Sequence, residues 1–239
     1  MTAKVHSRAA LDEADNPSTA STSTDNAVTL DTAVPTAPPA PMLASTSDSG
    51  TSGDGITNDA MPTFTGTAED GTVVRLYDGT EEIGSAVATD GTYTITVTGL
   101  SEGTHQIKAR ATDAAGNRSP ASPPTTVTID RTGPLVSITS FTASGRRLDL
   151  QGTGGHQPGD DTTVTIVICA GTGPSGQTPP TFPCANPADT FQRGVPADGT
   201  WAASRQLAAN TYYFARAEQT DTAGNVVASH IAGPVHTAG

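Results

Sequence analysis

The segment Thr104–Asn117 reads THQIKARATDAAGN, and it recurs near the end of the chain as Thr211–Asn225, TYYFARAEQTDTAGN. Both copies end in the motif D-x-A-G-N. The two motif aspartates, Asp113 and Asp221, are 108 residues apart. This spacing is typical of tandem domains of about 100 residues each. The chain therefore consists of repeats, which is a pattern more typical of structural proteins than of enzymes.

Other landmarks keep the same order. The turn Asp90–Tyr93 (DGTY) recurs as Asp198–Trp201 (DGTW), again 108 residues later, and Val28–Asp31 (VTLD) recurs as Val127–Asp130 (VTID) after 99 residues. Asp12–Asn16 (DEADN) is a third, partial copy of D-x-A-G-N. We therefore predict three parts: a partial repeat tail and linker at residues 1–33, a whole domain at 34–130 and a second whole domain at 131–239.

Composition narrows the range of partners. The 239 residues include 24 acidic and 12 basic side chains, for a formal net charge of -12. Binding to nucleic acid or to an anionic membrane is disfavoured, because such binding depends on clustered Lys and Arg. No run of about 18 apolar residues is present, so no membrane span is predicted. At 34% apolar residues, the chain suits thin two-sheet sandwiches better than one large core.

Period-two alternation dominates the local pattern. Thr92–Thr98 (TYTITVT) places its apolar residues on one face and its threonines on the other, and Val73–Asp78 and Ile107–Thr112 behave alike. This alternation is typical of half-buried antiparallel strands. Asp-Gly and Glu-Gly pairs recur between such segments, where hairpin turns require positive φ. The predicted fold class is all-β.

A family resemblance rests on several short motifs in order. They are Pro62–Thr72 (PTFTGTAEDGT), Val74–Gly79 (VRLYDG), Ala88–Tyr93 (ATDGTY), Leu100–His105 (LSEGTH) and Ala109–Asn117 (ARATDAAGN), followed by the VTID strand end. Together they resemble the bacterial Ig-like repeats of large secreted adhesins and biofilm proteins, over almost all of residues 35–130. The resemblance implies tandem Ig-like β-sandwiches in an extracellular surface protein, with neighbouring repeats of the same protein as partners. The second repeat is a more divergent copy.

The second repeat carries an enlarged segment that contains both cysteines. Thr72 and Asp90 are 18 residues apart, whereas the equivalent Thr162 and Asp198 are 36 apart. A disulfide between Cys169 and Cys184 would close a loop of about 15 residues and contribute roughly 3 kcal/mol by restricting the unfolded chain. We expect that bridge, and with it an oxidising, extracytoplasmic location. Two reduced thiols are the alternative.

Acidic residues gather near the predicted domain junctions. In the family that the chain resembles, calcium binds at such junctions and stiffens the string of domains, and calcium prefers clustered oxygen ligands. At the first junction, the resemblance implies ligands among Asp12, Asp31, Asp48, Asp54 and Asn58. At the second junction, it implies a weaker set, Asp113 and Asp130. The alternative is that these residues are solvated turn formers.

Two further expectations concern single side chains. Arg131 follows Asp130, and we hypothesise that its guanidinium pairs with Asp113 in place of a cation. His105 and Tyr212 each lie five residues after a leucine, and we predict that both are corner residues whose ring bonds back to the backbone, rather than ligands.

No catalytic role is predicted. The five histidines are scattered, and no G-x-S-x-G, H-E-x-x-H or phosphate-binding glycine loop occurs. A carboxylate pair for glycoside hydrolysis need not be close along the chain and stays open. The favoured function is a non-catalytic spacer stiffened by calcium. The alternatives are a module that binds a surface glycan or protein through the 169–184 loop, and an accessory sandwich of a secreted polysaccharide-active enzyme.

Overall fold

The computed structural model describes residues 2–4, 27–171 and 184–238. All regular secondary structure in these ranges is β-strand, which confirms the predicted all-β class. A short strand β1 (Thr2–Lys4) pairs antiparallel with β2 (Ala27–Thr29). Asp12 and the partial motif around it lie outside the described residues. Nothing in the described ranges is a helix long and apolar enough to cross a membrane.

The first sandwich packs a five-stranded sheet against a three-stranded sheet. Its strands are β3 (Met42–Leu43), β4 (Ile56–Thr57), β5 (Thr63–Thr67), β6 (Val73–Asp78), β7 (Glu81–Val87), β8 (Thr92–Thr96), β9 (Gly103–Thr112) and β10 (Thr125–Ile129). The larger sheet has the order β4-β10-β9-β6-β7, and the smaller has the order β3-β5-β8. All pairs are antiparallel except β4 with β10, which is parallel.

The alternation seen in the sequence places the core. In β8, Tyr93 and Ile95 are buried and the threonines between them are exposed. The same rule buries alternate residues of β9, because successive side chains of a strand point to opposite faces. The two inner faces meet in one apolar core, whose members include Phe64, Val74, Leu76, Ile95, Ile107, Val127 and Ile129.

The second sandwich repeats this plan. Its strands are β11 (Ser137–Ser144), β12 (Arg147–Thr153), β13 (Thr163–Gly171), β14 (Asp189–Gly194), β15 (Thr200–Gln206), β16 (Tyr212–Thr220), β17 (Val226–Ala228) and β18 (Ala232–His236). One sheet has the order β11-β12-β15, and the other has the order β14-β13-β16-β17, with β18 also on β16. Its core includes Leu148, Leu150, Ile166, Ile168 and Trp201. The strands of each sandwich fall within one predicted domain, and the exact domain limits stay predictions.

A glycine under an aromatic ring occurs at the same place in both sandwiches. Gly66 of β5 is paired with Tyr93, and Gly152 of β12 is paired with Trp201. A Cβ on Gly66 would lie 2.4 Å from the Tyr93 hydroxyl oxygen, and one on Gly152 would lie 2.2 Å from Cζ2 of Trp201. Each ring therefore covers a strand position that only glycine can fill. The aromatic residue of the D-G-T-Y or D-G-T-W stretch therefore requires a glycine opposite it on the neighbouring strand.

The corner prediction is confirmed at one position and wrong by one residue at the other. His105 is buried, with its Nδ1 2.6 Å from Oδ2 of Asp78 and its Nε2 3.0 Å from the carbonyl oxygen of Ser101. In the second sandwich, the ring that bonds back is Tyr213, whose hydroxyl accepts from the backbone N–H of Ala208 at 3.0 Å. Tyr212 packs on His236 instead, with ring centroids 4.6 Å apart. Successive side chains of a strand point to opposite faces, and in this strand it is Tyr213 that points into the core.

Protonation of His105 should stabilise the first sandwich. Burial of the ring lowers its pKa, but the hydrogen bond and charge of Asp78 and the Ser101 carbonyl outweigh burial and raise the pKa of His105 above its ordinary value. A raised pKa in the folded state means that the stabilisation is complete below the unfolded pKa of about 6.5 and is lost as pH rises through the folded value. The free energy of unfolding should therefore fall as pH rises above about 6.5.

The measurement is urea denaturation of the full chain at a series of pH values, for the natural chain and for His105→Gln. The substitution removes the titrating group and should flatten this part of the pH profile. Tyr213→Phe serves as the matched control, because it removes the equivalent corner bond without a titrating ring in this range. An unchanged slope in His105→Gln would contradict the assignment.

Candidate functional site at the junction of the two sandwiches

The D-x-A-G-N motif forms a closed turn after β9. The backbone N–H of Asn117 donates to Oδ1 of Asp113 at 2.8 Å, and its side-chain Nδ2 donates to Oδ2 at 2.9 Å. Gly116 has a φ of 89°, a conformation that glycine adopts without strain. The Asn117 side chain, together with backbone N–H groups of Asn117, Ala115 and Gly116, lowers the pKa of Asp113 below its ordinary value. The Asp113 carboxylate is thus committed to its own loop.

The second copy of the motif has the same geometry. The backbone N–H of Asn225 donates to Oδ1 of Asp221 at 2.8 Å, and its Nδ2 donates to Oδ2 at 2.9 Å. Gly224 has a φ of 83°. The repeated sequence therefore encodes a repeated loop conformation, as the D-x-A-G-N pattern predicts.

Each motif asparagine also holds the linker that leads into its own sandwich. Nδ2 of Asn117 donates to the backbone carbonyl of Asp31 at 3.2 Å, and Nδ2 of Asn225 donates to the backbone carbonyl of Asp130 at 2.9 Å. One side-chain amide thus joins a carboxylate of the loop to a carbonyl of the linker. The two linkers enter their sandwiches in the same way.

The linker aspartates share a turn as well. Oδ1 of Asp31 accepts from the N–H of Ala33 at 3.0 Å, and Oδ1 of Asp130 accepts from the N–H of Thr132 at 3.0 Å. An aspartate that bonds to the backbone two residues on is a common turn former. These two bonds fit the alternative to calcium binding given above, in which the acidic residues are turn formers.

The Gly-Ser segment Asp48–Gly55 lies at a different junction from the one that we predicted. We expected it between the partial repeat and the first sandwich, but it contacts the D-x-A-G-N loop of the second sandwich. The hydroxyl of Ser49 donates to the carbonyl of Ala223 at 2.6 Å, and the N–H of Thr51 donates to the carbonyl of Thr222 at 3.0 Å. The reason is the register: Ile56 and Thr57 pair with Thr128 and Ile129, the last residues of β10, so the segment just before Ile56 lies near the end of the sandwich where the second linker leaves.

Gly50 makes the closest approach in this contact. It has a φ of 68°, and a Cβ built on it would lie 2.1 Å from the carbonyl oxygen of Thr222 and 2.6 Å from the nitrogen of Gly224. Both neighbours are backbone atoms, which cannot move aside as a flexible side chain can. The turn can therefore contact the second sandwich only because residue 50 is a glycine.

The second predicted calcium set is not a single site. Asp113 follows one end of β9, whereas Asp130 follows β10, which pairs antiparallel with β9 so that Ile129 lies opposite Gly103 at the other end. At about 3.3 Å per residue, a strand of this length separates its ends by roughly 30 Å. The two aspartates are therefore too far apart to bind one ion together.

The hypothesis that Arg131 pairs with Asp113 is wrong for the same reason. Arg131 lies at the Gly103 end of the sandwich. There the backbone N–H of Arg131 donates to Oε1 of Glu102 at 2.8 Å, and the hydroxyl of Thr132 donates to the same oxygen at 2.9 Å. These two bonds hold the pKa of Glu102 below its ordinary value. Glu102 thus fixes the start of the linker to the first sandwich, a role that we did not predict.

The first predicted calcium set is spread between two junctions. Asp31 lies in the first linker, while Asp48, Asp54 and Asn58 belong to the loop that faces the second sandwich. Oδ1 of Asp54 accepts from the N–H of Ile56 at 2.8 Å, and the N–H of Asn58 donates to the hydroxyl of Ser49 at 2.9 Å. Within residues 2–4, 27–171 and 184–238, no three His, Cys, Asp or Glu side chains come together in a group that could hold a metal ion.

Asp48 is the exception in its bonding. Its Oδ2 accepts from the N–H of Gly53 at 2.5 Å, but its Oδ1 is buried and has no hydrogen-bond partner. A buried carboxylate oxygen without a donor is unfavourable. This atom is the one feature of the described loop that fits a bound cation.

The two cysteines form the expected disulfide. Cys169 and Cys184 are bonded, with their Cα atoms 6.2 Å apart. Cys169 lies fully buried on β13, and the chain returns from Cys184 into β14, which pairs with β13. The bond therefore closes the base of the enlarged segment. Residues 172–183, on which the alternative binding function depends, lie outside the described residues.

The junction bond of Asn225 should stabilise the second sandwich and its linker. Replacing Asn225 by Ala removes the side-chain bonds to Asp221 and to Asp130, and the expected cost is about 1–2 kcal/mol. Fluorescence of Trp201, the only tryptophan, follows unfolding of the second sandwich in urea. Asn117→Ala removes the equivalent bonds of the first sandwich and should leave the Trp201 transition unchanged. Equal shifts in both variants, or none in Asn225→Ala, would contradict this assignment.

The family-model match covers the first sandwich. Residues 35–131 match the model of a family described as "Bacterial Ig-like domain". No curated protein matches the chain.

Among solved structures, fibronectin(III)-like modules of CbhA from Clostridium thermocellum are 16% identical, with a TM-score of 0.39, covering 77% of this chain and 87% of that one. A tetra-tandem repeat from the extending region of a large adhesion protein is 21% identical, with a TM-score of 0.34, covering 75% of this chain and 47% of that one. Domains A168–A170 of titin are 13% identical, with a TM-score of 0.44, covering 84% of this chain and 67% of that one.

Proposed function

Because residues 35–131 match the bacterial Ig-like domain family, we propose that this chain is a structural module whose two sandwiches act as a spacer in an extracellular surface protein. The observation that supports this role best is the direct contact between the Gly50 turn (Ser49–Thr51) and the D-x-A-G-N loop of the second sandwich. A spacer transmits length and direction only if consecutive domains keep a fixed relation. This contact is a means of fixing it.

The linker between the sandwiches is held from both sides. Glu102 of the first sandwich binds the backbone of Arg131 and the hydroxyl of Thr132, and Asn225 of the second sandwich binds the carbonyl of Asp130. Only seven residues separate β10 from β11. A short linker with hydrogen bonds to both neighbours has few conformations available to it. The arrangement therefore favours a stiff joint over a flexible tether.

The absence of catalysis and the location are parts of the same proposal. Ig-like and fibronectin-like sandwiches are typical of structural modules. A different function would have to be argued from the residues of a site, because a fold alone does not define a function. An intramolecular disulfide between Cys169 and Cys184 fits an extracellular or surface protein. The alternatives of a binding loop at residues 172–183 and of an accessory enzyme sandwich stay predictions.

Gly50→Ala should loosen the joint without damage to either core. The added methyl group would clash with the Thr222 carbonyl and push the loop away from the second sandwich. Gly53→Ala is a matched control: Gly53 also has positive φ, 89°, but a Cβ there meets nothing within 4 Å. Both variants carry the same kind of backbone strain, roughly 1–2 kcal/mol.

Small-angle X-ray scattering of the full chain is the measurement. Gly50→Ala should broaden the distribution of interdomain distances relative to the natural chain, whereas Gly53→Ala should leave the profile unchanged. If the natural chain already scatters as two freely moving domains, or if the two variants behave alike, the stiff spacer is wrong.

Calcium at this joint is a second proposal, supported by the buried Oδ1 of Asp48 that receives no hydrogen bond. A cation there would neutralise the carboxylate beside the contact with the second sandwich, and backbone carbonyls of the loop could complete its oxygen ligands. Among the described aspartates of the predicted set, Asp48 is the one with a buried oxygen that receives no hydrogen bond, and Asp12 lies outside the described residues.

Titration calorimetry of the full chain with calcium tests it. We expect binding in the range of extracellular modules, on the order of 10⁻⁴ to 10⁻³ M. Asp48→Asn should abolish the heat of binding, while Asp54→Asn, in the same loop but exposed, should retain it. No heat from the natural chain, or equal binding by both variants, would contradict the proposal.

A further inference from the structure

The two D-x-A-G-N loops have the same conformation but different exposure. In the second sandwich, Ala223 is 0% exposed and Asp221 is 5% exposed. In the first sandwich, the equivalent run from Ala114 to Gly116 is exposed, and Asp113 is only partly buried. Part of that difference comes from the Gly50 turn, which lies directly on residues 222–224.

The contact of the Gly50 turn depends on backbone atoms of the loop that receives it. Its partners are the carbonyl oxygens of Thr222 and Ala223, with the nitrogen of Gly224 closest to Gly50. The loop of the first sandwich offers the same backbone positions at Ala114, Ala115 and Gly116. The change from threonine to alanine at the first of them removes no atom that the contact uses. The first loop can therefore receive the same kind of turn.

The linker adds a second, independent match. Asn117 binds the carbonyl of Asp31 as Asn225 binds that of Asp130, and both aspartates form the same turn with the residue two positions on. A sandwich joined ahead of Asp31 through such a linker would enter in the orientation in which the first sandwich precedes the second. Its loop equivalent to Asp48–Gly55 would then lie over residues 113–117.

From these matches we propose that the Asp113–Asn117 loop is a docking surface for a preceding Ig-like sandwich. Its occupant is a Ser-Gly turn whose glycine has positive φ, as Ser49 and Gly50 provide at the second junction. The inference rests on the proposed spacer function and adds to it a specific rule of assembly: a sandwich that carries such a turn contacts the D-x-A-G-N loop of the next one. The association is end to end and needs no side-chain complementarity at the loop tip.

The test extends the chain by one sandwich. A copy of residues 32–130 is inserted between Asp31 and Thr32, so that each linker aspartate is still followed directly by a sandwich. Cysteine replaces Thr51 of the inserted copy and Ala114 of the original first sandwich, and a short bis-maleimide, which tolerates a wider range of geometry than a disulfide, is added. Thr51 is a suitable position because its contact at the second junction uses the backbone N–H.

Two further cysteine pairs calibrate the result. Thr51→Cys with Thr222→Cys in the natural chain reports the contact already described and should cross-link. Thr51→Cys of the copy with Ser101→Cys of the original first sandwich should not, because Ser101 precedes the Gly103 end of β9, opposite Asp113. The proposal expects the pair at Ala114 to cross-link as completely as the pair at Thr222.

The outcomes separate the two proposals. If the Thr222 pair cross-links and the Ala114 pair yields no more than the Ser101 pair, the docking surface is wrong while the spacer function stands. If the Thr222 pair itself fails to cross-link, the junction contact is absent, and both the docking surface and the stiff spacer are overturned.

Discussion

The side-chain amide of Asn225 holds the loop and the linker at the junction of the two sandwiches. Nδ2 of Asn225 donates both to the carboxylate of Asp221 and to the backbone carbonyl of Asp130. The first bond fixes the loop after β16, and the second ties that loop to the linker. Because the loop is fixed, its backbone carbonyls are available in one position, and the Gly50 turn of the first sandwich can bind them. The contact of the Gly50 turn with the second sandwich thus uses backbone atoms that a short polar motif holds in place.

Most of the fold could be predicted from the sequence, because its signals are local. Alternation along β8 and β9 placed Tyr93, Ile95 and Ile107 in the core, and Asp-Gly pairs marked the turns. The repeated D-x-A-G-N motif predicted a repeated loop, which the two Asp–Asn networks confirm. The disulfide was predictable as well, since only two cysteines are present.

The junction could not be predicted, because its contacts are distant along the chain and use backbone atoms. Ser49 and Ala223 are 174 positions apart, and the acceptor is a carbonyl that every residue carries. The grouping of Asp113 with Asp130 assumed that the motif aspartate and the next linker lie at the same end of the sandwich, whereas the antiparallel pairing of β9 with β10 puts them at opposite ends. The one signal in the sequence was Gly50 itself, and a glycine in a Gly-Ser segment is equally consistent with an unattached loop.

The parallel pairing of β4 with β10 has a mechanical consequence. The chain enters the first sandwich near Asp113 and leaves it at Asp130, at the opposite end. Once β3 had separated from β5, tension between these ends would pull β4 and β10 past each other. The bonds from Thr128 N–H to the Gly55 carbonyl and from Asp130 N–H to the Thr57 carbonyl, both 2.9 Å, lie across that direction. They would share the load and break together rather than one after another.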